Sequence, residues 1–210
     1  MSRSAASRAL TGTGYVGEDS RRRVLEAAAQ LGYVPHLAAR YLKDRVSRCV
    51  GVVCLDLQDP ADAALVAGVC AGAREEVLAT MVADLGGRVL GALEGLRDFV
   101  AFGVAGVVVA PVSAEPVGYL GRYGIPVVEA GRRFAPGRGD AVVTAPGSGR
   151  GSGHLIAHEM GRAAVGLLVR RFAGPDLPAE TVVLRQGTHG RPVRDAAPGL
   201  AVPRPVDGGR

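Results

Sequence analysis

The feature that most restricts the fold is an alternation of short valine-rich runs with longer stretches whose apolar residues recur at helical spacing. It begins with RCVGVVCLDL at Arg48–Leu57, an unbroken apolar run that suits a strand buried on both faces of a parallel sheet. Helical spacing follows at Ala61–Glu76, then a strand at Val77–Leu85, a helix at Arg88–Phe102 and a strand at Ala105–Pro111. A short helix at Glu115–Tyr123 precedes strands at Ile125–Ala130 and Ala141–Thr144. After the flexible PGSGRGSG (Pro146–Gly153) come an amphipathic helix from about His154 to Phe172 and a strand, ETVVL, at Glu180–Leu184. Strands alternating with helices predict βαβ units, hence an α/β parallel sheet covered on both faces. The residues are 48% hydrophobic but only 4% aromatic, so the core is expected to be Val, Leu and Ala. Past Arg185 the chain is rich in Gly, Pro and Arg without periodicity, and residues 185–210 read as a disordered tail.

The first quarter obeys a different pattern. The stretch SRALTGTGYVGEDSRRRVLEAA (Ser7–Ala28) reads as the end of one helix, a Gly-rich turn and the capped start of another. In the second helix Val24, Leu25, Ala28 and Leu31 recur at helical spacing, and Gly32 stops the run in the C′ position. Pro35 and a short helical patch, His36–Lys43, lead to the first strand. The net charge is +5, and all of the excess lies before residue 49, in Arg3, Arg8, Arg21, Arg22, Arg23, Arg40, Lys43, Arg45 and Arg48 against Glu18, Asp19, Glu26 and Asp44. A basic segment joined to an electrically balanced remainder is the distribution of a polyanion-binding module on a neutral domain.

Several features exclude other classes. Cys49, Cys54 and Cys70 form no CxxC pair and have no histidine at ligand spacing, so buried free thiols in a reducing compartment are expected. GSGRGSG fits neither GxGxxG nor the phosphate-loop spacing, and His154 and His158 with Glu159 lack the order of a zinc hydrolase and a third ligand. No GxSxG elbow occurs, so no catalytic, metal or cofactor residue is assigned. No apolar run approaches a membrane span.

The segments SRALTG, RRRVLEAAAQLGYVP and LAARYLKD resemble the DNA-binding head and hinge of the LacI/GalR family of bacterial transcription regulators. VGVVCLDLQDP, LRDFVAFGVAGVVVAPVS, GIPVVEAGRR and HEMGRAAVGLLVRRFAGPDLPAETVVL resemble that family's periplasmic-binding-protein-like core. The resemblance implies a partial helix-turn-helix head (1–35), a hinge helix and linker (36–47), one parallel-sheet subdomain (48–184) with a Gly-rich seam at 146–153, and the tail. It implies a non-enzymatic, cytoplasmic, nucleoid-associated regulator that binds a palindromic double-stranded operator as a homodimer.

By the same resemblance Arg3, Ser4 and Arg8 face base edges, Ser7 and Thr11 lie near the backbone, and Tyr15, Gly17, Ser20 and Arg21 meet phosphates. The plain alternatives are solvated residues of a frayed helix and an ordinary helix cap supplied by Ser or Asp. Ala38, Ala39 and Leu42 correspond to a minor-groove wedge with Lys43 beside it, against the alternative of a linker helix packed on the core.

Two departures accompany the match. Met1-Ser2 stands where the family has the Val-Ser before its recognition helix, so the reading frame is expected to start upstream with a further helix. Between DAVVTA and HEMGR the family's second subdomain is expected to be missing. Pro60-Ala61-Asp62-Ala63, Gly131 and Ala145-Pro146 replace the family's effector-lining residues, so loss of the small-molecule effector is expected. Two other readings remain open: an interaction remnant forming mixed dimers with full-length relatives, and a small nucleotide-binding α/β enzyme.

Overall fold

The computed structural model describes residues 2–11, 14–33, 47–88, 92–110, 115–131, 139–145, 153–185 and 193–195. Contacts divide the chain into two units, Met1–Val46 and Ser47–Arg210. The first holds α1 (Arg3–Thr11) and α2 (Glu18–Gln30). The second holds β1 (Cys49–Cys54), α3 (Pro60–Glu75), β2 (Ala79–Asp84), α4 (Ala92–Phe102), β3 (Gly106–Val109), α5 (Glu115–Gly121), β4 (Val127–Gly131), β5 (Asp140–Thr144), α6 (Gly153–Ala173), β6 (Thr181–Leu184) and β7 (Val193–Asp195).

The strands form one sheet in the order β2-β1-β3-β4-β5-β6-β7. Its first six strands are parallel, and β7 is antiparallel to β6, with Val183 opposite Val193 and Thr181 opposite Asp195. This is the α/β sheet that the alternation predicts. The side-chain period of two sorts each strand between two cores. Val50, Val52, Val108, Val128 and Val142 pack with Leu65 and Val69 of α3 and with Val165 and Leu168 of α6. Val53, Val107, Val109 and Val127 pack on the other face with Leu96 and Phe99 of α4 and with Val117 and Leu120 of α5.

Against the first face, α3 and α6 meet backbone to backbone. A Cβ at Gly68 of α3 would lie 2.0 Å from the His158 carbonyl oxygen, and one at Gly161 of α6 would lie 2.3 Å from that of Leu65. Only glycine at both positions permits this separation.

At the start of β5, Asp140 is 2% exposed. Its carboxylate accepts from Arg171 Nε at 3.0 Å, Arg171 Nη2 at 2.7 Å and the Glu180 N–H at 2.7 Å. The same guanidinium donates to the carbonyls of Pro175, Leu177 and Pro178. One arginine therefore ties the end of α6 to β5 and to the turn that feeds β6.

Two expectations need correction. The strand expected from Val77 starts at Ala79, because Val77 and Leu78 close α3 in a Schellman turn: Leu78 N–H donates to Ala73 C=O at 2.7 Å, and Val77 N–H to Arg74 C=O at 3.2 Å. Val77 takes φ +55 there and is 72% exposed. Gly32 fills the equivalent position after α2 at φ +59, as its sequence position predicts. A β-branched residue is strained in this conformation, which costs an L-residue about 1–2 kcal/mol. Val77→Gly should therefore raise stability by about 1 kcal/mol after the entropy that glycine adds to the unfolded chain. Thermal unfolding would show it, and a lower midpoint would refute the strain.

The second correction concerns the tail. Val193–Asp195 is not irregular but pairs with the open side of β6, where unpaired backbone groups provide partners that no local periodicity reveals. The expected hinge helix, including Ala38, Ala39, Leu42 and Lys43, lies outside the described residues, as do 146–152 of the Gly-rich seam.

Candidate nucleic-acid interface

Helix α1 separates its residues by face. Positions 3, 4, 7, 8 and 11 fall on one side of a helix with a period of 3.6 residues, and Ala6, Ala9 and Leu10 fall on the other. Ala9 is 2% exposed. Ser4, Ser7 and Arg8 are exposed, whereas the side chains of Arg3 and Thr11 lie outside the described residues. Ser2 Oγ accepts the Ala5 N–H at 3.2 Å, which closes the first turn, and lies 3.1 Å from Ser4 Oγ. Arg8 folds its stem over Gly14, where a Cβ would come within 3.1 Å of Arg8 Cδ, and its Nε donates to the Ser4 carbonyl at 3.2 Å.

The start of α2 carries the next group. Gly17 is its N-cap, with no side-chain cap, and its carbonyl accepts from Ser20 and Arg21 N–H at 3.0 and 2.9 Å. The cap is thus glycine and not the Ser or Asp of the plain alternative, so the N-cap residue has no side chain to accept from the first-turn N–H groups. Tyr15 stands 91% exposed just before them, Ser20 is half-buried and Arg21 is exposed. Asp19 is engaged by Arg22 Nη2 at 2.7 Å, which offsets one of the two acids in the first turn. Arg21 and Arg23 add exposed positive charge. The structure thus places Ser4, Ser7 and Arg8 on one polar helix face, and Tyr15, Gly17, Ser20 and Arg21 around the following helix start.

Sequence reading missed the opposite face. Ala6, Leu10, Arg23, Val24, Ala27, Ala28, Leu31 and Tyr33 line a largely apolar cleft of about 340 Å³ between the two helices. None of the described residues of α2 is buried. The apolar positions at 24, 28 and 31 signalled an inward face, but not that none of the described residues would cover it.

The second unit offers less chemistry. Where β1 runs into α3, Asp59 caps the helix by accepting from Ala61 and Asp62 N–H at 2.7 and 3.2 Å. Asp62 Oδ2 accepts from Leu55 and Asp56 N–H at 2.8 and 2.9 Å. Both carboxylates hold the loop that leaves the strand. Burial, with the nearby Asp84, Asp62 and Asp56 carboxylates, pushes the Cys54 thiol up to about 11, which suits an inert buried thiol. All three cysteines are free, and no group of three metal-ligating side chains occurs among the described residues. No described helix is long and apolar enough to cross a membrane.

No family model matches the chain. It is 42% identical over 60 residues to the ribose operon repressor of Bacillus subtilis (strain 168), a match that covers 29% of this chain and 18% of that protein. A LacI-family transcriptional regulator from Silicibacter pomeroyi has a solved structure that superposes with a TM-score of 0.61 at 26% identity, over 69% of this chain and 44% of the other. The chain is similar to transcription regulators of the LacI/GalR family. Its fold also matches the lac repressor dimer bound to operator and an anti-inducer, with a TM-score of 0.61 at 18% identity, over 88% of this chain and 61% of that one. The chain spans less than two thirds of each of these relatives.

Proposed function

We propose that this chain is a sequence-specific DNA-binding transcription regulator of the LacI/GalR family whose binding does not respond to a small-molecule effector. The observation that carries the reading is the polar face of α1, with Ser4, Ser7 and Arg8 exposed, together with the start of α2, where the N-cap Gly17 supplies no capping side chain. An exposed arginine at such a position can bind guanine O6 and N7 through two hydrogen bonds, and uncovered N–H groups at a helix start favour phosphate. The charge excess before residue 49 supports the same assignment. Two copies on a two-fold operator are the working form, because a single head reads too few base pairs. The open apolar cleft has the shape and chemistry to seat a further helix, which would complete a three-helix head.

Loss of effector response is supported by the ends of the strands. Asp59 and Asp62 are committed to the loop after β1, Gly131 ends β4, and Ala145 follows β5. None of these presents an uncommitted polar side chain to a sugar. A ligand without differential affinity for two states shifts neither. Calorimetric titration with ribose should give no binding heat, and micromolar affinity for any monosaccharide or nucleobase would remove this part of the proposal.

Fluorescence-anisotropy selection from a randomised pool of palindromic duplexes tests the DNA reading. Binding should weaken steeply as salt rises. Arg8→Ala should cost about 1–3 kcal/mol on the selected site and relax its preference at one base pair. Arg21→Ala should weaken all sequences alike and lower the salt slope by about 1. A folded chain that retains no duplex at low ionic strength, yet exchanges subunits with a full-length relative, would favour the interaction remnant instead.

A further inference from the structure

The sheet has two lateral edges, and the chain treats them differently. On one side β2 ends the strand order with ATMVAD, paired only with β1 among the described residues. On the other side β6, TVVL, would be the edge if β7 were not seated against it. A strand of this composition, rich in β-branched residues and free of charge and proline, is a ready template for pairing with another chain. A sheet with such templates on both sides can grow, because β6 of one copy laid against β2 of the next keeps the strands parallel. That contact is head-to-tail and does not close on itself, so it propagates.

Three properties of β7 interrupt this. It runs antiparallel and so reverses the strand direction of the sheet at that side. It is three residues long, and a short edge makes a poor template. Two of its three residues, Arg194 and Asp195, are charged. From these we infer that Val193–Asp195 is an edge guard, a segment of this chain that occupies β6 and denies that edge to a second copy. This function lies outside the DNA-binding reading and does not depend on it.

Two variants test it by light scattering and by amide hydrogen exchange at Thr181–Leu184. Removal of residues 186–210 should speed exchange of the β6 amides about tenfold, as expected for backbone that loses its pairing partner. The mass of the truncated chain should climb with concentration without a plateau, and an excess of a peptide spanning residues 188–198 should reverse the climb. Arg194→Val with Asp195→Val in the full chain should keep the protection of β6 but also gain mass, because the guard itself becomes an apolar edge. The double variant also decides the matter if the shortened chain fails to fold by circular dichroism. Parent-like mass at every concentration in the folded variants overturns the proposal, and so does a mass increase of the truncated chain that the peptide does not reverse.

Discussion

Gly68→Ala should unfold the α/β unit or cost it at least about 3 kcal/mol, at the upper end of what overpacking does in protein interiors. In an ordinary helix interior the same change gains about 0.5–1 kcal/mol. Here the new methyl would sit 2.0 Å from a carbonyl oxygen and 2.7 Å from its carbon, both in the backbone of α6. No rotamer change relieves a clash with backbone, so the two helices must separate and the core beneath them, including Val69, Val165 and Leu168, must open. Gly166, also on α6, has nothing within 4 Å of a Cβ and supplies the control. Gly166→Ala should raise the unfolding midpoint measured by circular dichroism while Gly68→Ala lowers it sharply. Equal effects would mean that the helix contact is looser than described.

Asp140→Ala should cost about 3–5 kcal/mol, the usual loss when one member of a buried ion pair is removed. The substitution leaves the Arg171 guanidinium without its counterion and the Glu180 N–H without its acceptor. Because the pair holds β5, the end of α6 and the approach to β6, the loss should appear as one cooperative transition at lower denaturant with unchanged slope. Asp140→Leu combined with Arg171→Met should recover much of it, since an apolar pair of similar volume removes both desolvation penalties. If the single change costs less than about 1 kcal/mol, Asp140 and Arg171 behave as a surface pair and not as the tie.

The sequence exposes whatever is local in this molecule. The Val-rich run around Val50–Val53 announces a buried strand because burial on both faces removes alternation, and Gly32 announces a helix end because few residues other than glycine accept its backbone conformation readily. Ser4, Ser7 and Arg8 were picked out by the family resemblance and not by periodicity; the structure adds that they share one exposed face of α1. Non-local features were not legible. Asp140 and Arg171 are 31 positions apart, and Gly68 and Gly161 sit on helices that touch in space but have β2 to β5 between them in the sequence, so neither pair leaves a periodic trace. Val77 misled for the opposite reason: its residue type favours a strand, but the helix-ending turn around it prevailed. The open cleft between α1 and α2 escaped because apolar spacing shows that a face turns inward without showing what lies across it.

The wiring of the sheet around α6 makes the lobe indifferent to the length of its own connection. β5 ends at Thr144, α6 begins at Gly153, and the contacts that fix them to one another run through Asp140, Arg171 and the α3 backbone. Each doubling of a flexible connection adds only about 0.6 kcal/mol of closure entropy. The gap between those two residues is therefore a cassette position, where a passenger domain could be spliced in or taken out while the scaffold on either side keeps its shape.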